Sequence, residues 1–130
     1  MSSTDHPIGA VVWTDLTVDH ADEIRDFYKS VVGWAATEVD MGGYSDYCMV
    51  RPTDGQTSAG VCWQRGVNLG LPSQWLVYFA VSDLQASLRR VEKLGGRIVR
   101  PASDMGSFGV YAVIQDPSGA VAALIQPRSA

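Results

Sequence analysis

From residue 8 to residue 18 apolar and polar side chains alternate with a period of two. Val12, Leu16 and Val18 fall on one face with Thr14 between them, while Trp13, Asp15 and Thr17 fall on the other. This pattern, rich in β-branched and aromatic residues, predicts a half-buried strand. The period then changes. Ile24, Phe27, Tyr28 and Val31 recur at three- and four-residue spacing among Asp22, Glu23, Arg25, Asp26 and Lys29. That stripe predicts an amphipathic helix, with Asp19 as its N-cap and Gly33 at its end. Three short strands are expected next, over 34–39, 44–50 and 58–63, separated by Gly42-Gly43, Pro52 and Asp54-Gly55.

After a Gly- and Pro-containing connection the same order returns. A strand is predicted over 75–81, then a helix capped by Ser82 or Asp83, with Leu84, Leu88, Val91 and Leu94 on its stripe and Gly95-Gly96 at its end. Strands over 97–100, 109–115 and 120–126 complete the set, the last two joined by the turn Asp116-Pro117-Ser118-Gly119. The halves match at an offset of about sixty residues, pairing Val18 with Val81, Gly33 with Gly96 and Asp54 with Asp116. The expected fold is therefore α+β: two tandem βαβββ modules (8–63 and 75–127, with 64–74 as linker) in one domain over 1–130. A single helix covers one face of each small sheet, so curved sheets with helices outside leave a central trough where a ligand would sit.

Composition narrows the function classes. The 130 residues carry a net charge of −4 with no basic stripe, which argues against nucleic acid and an anionic membrane surface as partners. The polar start, Met1 to Pro7, lacks the basic and apolar regions of a signal peptide, and the apolar runs are strand-sized. Cys48 and Cys62 form no close pair or metal knuckle and read as free thiols, which fits a cytoplasmic location.

The motifs Asp15-Leu16-Thr17-Val18, Arg25-Asp26-Phe27-Tyr28 and Val32-Gly33-Trp34, with Val77 to Asp83, Leu94-Gly95-Gly96 and Asp116-Pro117-Ser118-Gly119, lie in one order along nearly the whole chain. In that order the chain resembles the vicinal oxygen chelate superfamily, which includes glyoxalase I, bleomycin-binding resistance proteins and extradiol dioxygenases. The resemblance implies a divalent ion held by His, Gln or Glu from the first and last strands of each half. Those positions here are Trp13, Val61 or Cys62, Leu76 and Ala123, none of which supplies such a ligand. The histidines His6 and His20 fall outside the strands. No metal and no other cofactor is expected.

Asp15 is the first candidate site residue, because strand interiors disfavour Asp and its alternation puts it beside Trp13. It could act as a general base or accept a ligand hydroxyl or amine; the competing reading pairs it with a basic residue such as Arg51. Trp13, Thr17, Trp63, Tyr78 and Ala123 join it as expected ligand contacts, Trp13, Trp63 and Tyr78 being equally suited to a packed core. Trp75 shares a face with Val77 and Phe79 and reads as core. Cys62 and Cys48 read as inert, lacking a nearby base. The loop from Asp104 to Gly109 reads as a hairpin connection, or as a flap bearing Met105 and Phe108. The expected function is metal-independent binding of a small hydrophobic or aromatic molecule by a homodimer. The alternative is a lyase or isomerase of the glyoxalase type, or a dioxygenase-like enzyme, acting on a small carbonyl or diol compound, with Tyr78 or Tyr47 steadying developing charge.

Overall fold

The structure is a computed structural model and describes residues 7–128. The sequence-predicted order is present throughout. The first module comprises β1 (Val11–Val18), α1 (Ala21–Val32), β2 (Ala35–Asp40), β3 (Ser45–Val50) and β4 (Thr57–Trp63). The second comprises β5 (Trp75–Ala80), α2 (Leu84–Lys93), β6 (Arg97–Asp104), β7 (Gly109–Gln115) and β8 (Val121–Pro127). Contacts divide the chain into two compact units, one formed by Trp13–Trp75 and the other by Leu76 onward together with the N-terminal residues up to Val12.

In the first module, β3 runs antiparallel to both β2 and β4, and β4 pairs with β1 in parallel. The second module repeats the plan: β7 is antiparallel to β6 and β8, and β8 is parallel to β5. Each parallel pair needs a long crossover, and the helix and two hairpin strands between its members supply it. The N-terminal residues join the second set of strands, Gly9 donating to the Ala80 carbonyl (2.8 Å) and Ala80 donating to that of Ala10 (2.9 Å).

Strand alternation sends one set of side chains under each helix. In the first module Ala21, Tyr47, Met49, Ala59 and Val61 form a buried core, with Trp34, Trp63 and Trp75 packed against it. In the second, Leu84, Leu88, Ala112 and Leu124 do the same, with Phe79, Val81 and Ile114 at the margin. The aromatic expectation for Trp75 as core is met here.

Local differences have local causes. The N-cap of α1 is His20, not Asp19, and no side chain caps it, whereas Asp83 caps α2 by accepting from the Ala86 N–H at 3.1 Å. Gly33 ends α1 in the left-handed conformation. Strand β6 runs four residues past the expected 97–100, its pairing with β7 interrupted by irregularities on either side of Arg100 that blur the period-two signal. Short 3₁₀ turns occupy Gly66–Asn68 and Gly106–Phe108. Among the described residues no helix is long and apolar enough to cross a membrane. His6 and the rest of the polar start before Pro7 lie outside the described residues.

Candidate functional site

The face of the first sheet turned away from α1 collects the polar residues. Cα partners align Asp15 with Gly60 and Thr17 with Cys62 across β1 and β4, and Gly60 with Cys48 across β4 and β3. Trp13, Asp15 and Thr17 therefore share a face with Gly60, Cys62, Cys48 and Asp46. Asp15, Thr17 and Asp46 are the buried polar or charged residues of the described chain. Such burial is costly for a carboxylate unless it is hydrogen-bonded.

Gly60 makes this crowding possible. A Cβ there would lie 3.1 Å from the Asp15 Cβ and 3.4 Å from the Trp13 ring. Without it, the indole of Trp13 rests over bare backbone beside Asp15.

Asp46 is the residue the sequence reading missed. Its carboxylate accepts from the Trp63 backbone N–H at 2.9 Å and from the Cys62 thiol. Burial raises its pKa above the ordinary Asp value, against the lowering effect of those two bonds. The signal was available: Asp46 is, like Asp15, an Asp inside a strand. Cys62 is pushed strongly upward, first by burial and then by the charges of Asp15 and Asp46. Cys48 is raised as well, by burial and by Asp46. Both thiols are therefore protonated near neutral pH and are poor nucleophiles.

Other expected residues fall elsewhere. Trp63 packs against the helix-side core of the first module, so it does not share the face of Asp15. Its odd-numbered register with Val61 and Ala59 puts it under α1. Tyr47 lies in that same core beneath the Arg25 guanidinium (4.6 Å to the ring centre) and is no partner for chemistry on the opposite face. Arg51 is bound to Asp54, 2.6 Å away, in an exposed turn. Within the second module, Tyr78 and Ala123 are Cα partners on the helix-free face, where Tyr78 packs against Tyr111 with ring centres 6.0 Å apart. Phe108 is exposed on its 3₁₀ turn.

The positions that would hold a divalent ion can be tested against this arrangement. Val61 is in the helix-side core; Leu76 and Ala123 are buried hydrocarbon; Trp13 offers only an indole donor. Cys62 alone carries a soft ligand atom, and its proton is held tightly. Among the described residues no three His, Cys, Asp or Glu side chains are grouped to hold a metal ion. The donor set does not fit the ion.

Comparison with known proteins agrees with the topology. A family model for the Glyoxalase/Bleomycin resistance protein/Dioxygenase superfamily matches residues 10–124. The chain belongs to this superfamily. It is 30% identical over 119 residues to "Putative glyoxylase CFP32" of Mycobacterium bovis, covering 92% of this chain and 44% of that protein. It is 34% identical over 131 residues to "Anthracycline biosynthesis protein DauV" of Streptomyces sp. (strain C5), covering 89% of this chain and 46% of that one. The chain thus spans less than half the length of these superfamily relatives. Methylmalonyl-CoA epimerase from Mycobacterium tuberculosis shares the fold at 18% identity, with a TM-score of 0.57 over 93% of this chain and 89% of the other.

Proposed function

We propose that the chain binds a small hydrophobic or aromatic molecule without a metal ion, using the helix-free face of its first module. The observation that carries this reading is the pairing of a large aromatic surface, Trp13 over Gly60, with a buried carboxylate acceptor, Asp15, in the adjoining row. Thr17 adds a hydroxyl to the same face. Rings supply rigid contact area at low entropic cost, and a buried carboxylate orients a ligand hydroxyl or amine by a charge-assisted hydrogen bond. An aromatic ligand also accords with the relatives named for anthracycline biosynthesis. The weak fit of the donor set to a divalent ion supports the metal-independent form.

Two titrations of the purified full chain test this. In calorimetry, zinc, nickel and manganese are expected to show no binding tighter than about 10 μM, which corresponds to roughly −7 kcal/mol. 1-Naphthol, an aromatic with one hydroxyl donor, is expected to bind and to shift the Trp13 indole N–H resonance. Asp15→Asn should weaken that binding about tenfold, the scale of one hydrogen bond to a charged group. Stoichiometric metal binding, or naphthol binding indifferent to Asp15, overturns the proposal.

A further inference from the structure

The opposite side of the same sheet holds a second concavity. A groove of about 330 Å³ runs between β1 and α1 of the first module, walled by Leu16, Val18, Ile24, Phe27, Tyr28 and Trp75. Because Leu16 and Val18 alternate with Asp15 and Thr17, this groove and the face described above lie on opposite sides of one strand. Its volume is within the range of small-molecule sites.

The walls are aromatic and fixed. Tyr28 meets Trp75 edge-on (ring centres 5.2 Å, planes 78° apart) and Phe27 meets Tyr28 at 5.1 Å and 87°. Trp34 backs the Trp75 ring at 6.1 Å. The Trp75 Nε1–H donates to the Tyr28 hydroxyl oxygen at 3.0 Å. An indole can only donate, so Tyr28 is the acceptor in that bond and its own O–H hydrogen is directed elsewhere. The polar residues Ser73 and Gln74 line the same groove. Phe27 remains 54% exposed on the helix flank.

The second module supplies an internal control. A groove of about 290 Å³ also lies against α2, shared with β7, β8 and the Asp116-Pro117 turn, and includes Val81, Ser87, Arg90 and Val91. Val81 matches Val18, and at the same offset Ser87, Arg90 and Val91 match Ile24, Phe27 and Tyr28. Each module has a groove against its helix; of the two, only that of the first module is lined with aromatic rings and a phenol.

We propose that the β1–α1 groove is a second binding site, for a small planar aromatic molecule carrying a hydrogen-bond-accepting oxygen. Such a ligand stacks on Trp75 and Phe27 and accepts from the Tyr28 hydroxyl. The two faces of the sheet then select opposite hydrogen-bonding characters: the carboxylate face takes donors, the groove takes acceptors.

The test is a titration of the isotope-labelled full chain with coumarin, a planar ring system whose lactone carbonyl accepts but cannot donate. The Trp75 indole N–H resonance, identified by its absence in Trp75→Phe, is expected to move while that of Trp13 stays in place. Phe27→Ala, at an exposed position that spares the core, should weaken coumarin binding at least fivefold. Tyr28→Phe should weaken it by a similar factor while leaving 1-naphthol binding unchanged. A Trp75 resonance unmoved at millimolar coumarin overturns the proposal, as does coumarin binding equally well to Phe27→Ala. Movement of Trp13 in place of Trp75 also overturns it, by assigning coumarin to the carboxylate face.

Discussion

Asp46 carries a consequence for pH. Its carboxyl titrates higher in the folded chain than in the unfolded one, because burial disfavours the charge. The stability it contributes is complete below the ordinary Asp pKa and is lost as pH rises through the raised folded value. Asp46→Asn keeps an oxygen for the Trp63 N–H and removes the charge. Urea denaturation should therefore show this variant gaining on the wild type between pH 4 and pH 7, with no gain at pH 3. Asp46→Ala removes the acceptor instead and should cost about 1–3 kcal/mol at pH 3, the cost shrinking as pH rises and the wild-type carboxyl ionises. A neighbouring expectation concerns Cys62: with its thiol pushed upward and buried, iodoacetamide at pH 7 should label it at least a hundredfold more slowly than free cysteine. Rapid labelling of folded protein would contradict the described environment. Residue identity was legible where a rule of exclusion applied, as for Asp15 in a strand. It was illegible for Trp63, since an aromatic ring suits either face of a sheet and only the pairing of β4 with its neighbours decides between them.

The elements were read more easily than the faces. Helix stripes and turn dipeptides are local signals, and α1, α2 and the Asp116 turn fall where periodicity puts them. The missed features are non-local. The irregular pairing of β6 and the absence of a side-chain cap on α1 depend on neighbouring strands and on the conformation of His20. Removing the N-cap side chain of α2, by Asp83→Ala, should cost about 1 kcal/mol in thermal or chemical denaturation. Strand β7 contains a stricter requirement. Gly109 has a φ of 127°, and a Cβ at that position would sit 2.1 Å from the Gln126 carbonyl oxygen. Both the conformation and the space exclude a side chain, so Gly109→Ala should cost about 3 kcal/mol or more, or prevent folding. A denaturation midpoint equal to wild type would show that the β7–β8 pairing is not the one described.

For the molecule as a whole, the repeat was the most informative signal. It predicted two modules of one topology, and the strand order within each is the same, β2-β3-β4-β1 in the first and β6-β7-β8-β5 in the second. What repetition could not convey is how each module has been furnished. Phe27 and Tyr28 in one groove answer to Arg90 and Val91 in the other, and the buried carboxylates Asp15 and Asp46 of β1 and β3 correspond to Tyr78 and Tyr111 of β5 and β7. We expect a homodimer in solution, which light scattering would report as the mass of two chains; the mass of one chain would refute it.

The bonds from Gly9 and Ala10 to Ala80 bear on the order of assembly during synthesis. The unit Trp13–Trp75 is continuous, so every residue it needs is synthesised before β6 is. The other unit is discontinuous: residues before Trp13 join those from Leu76 onward. The leading residues must wait, unpaired, until β5 arrives. A chain ending before β5, tethered to the ribosome through an unstructured linker long enough to clear the exit tunnel, should thus protect the amides of β3 and β4 from hydrogen exchange while leaving Gly9 open, and extending it through β8 should close it.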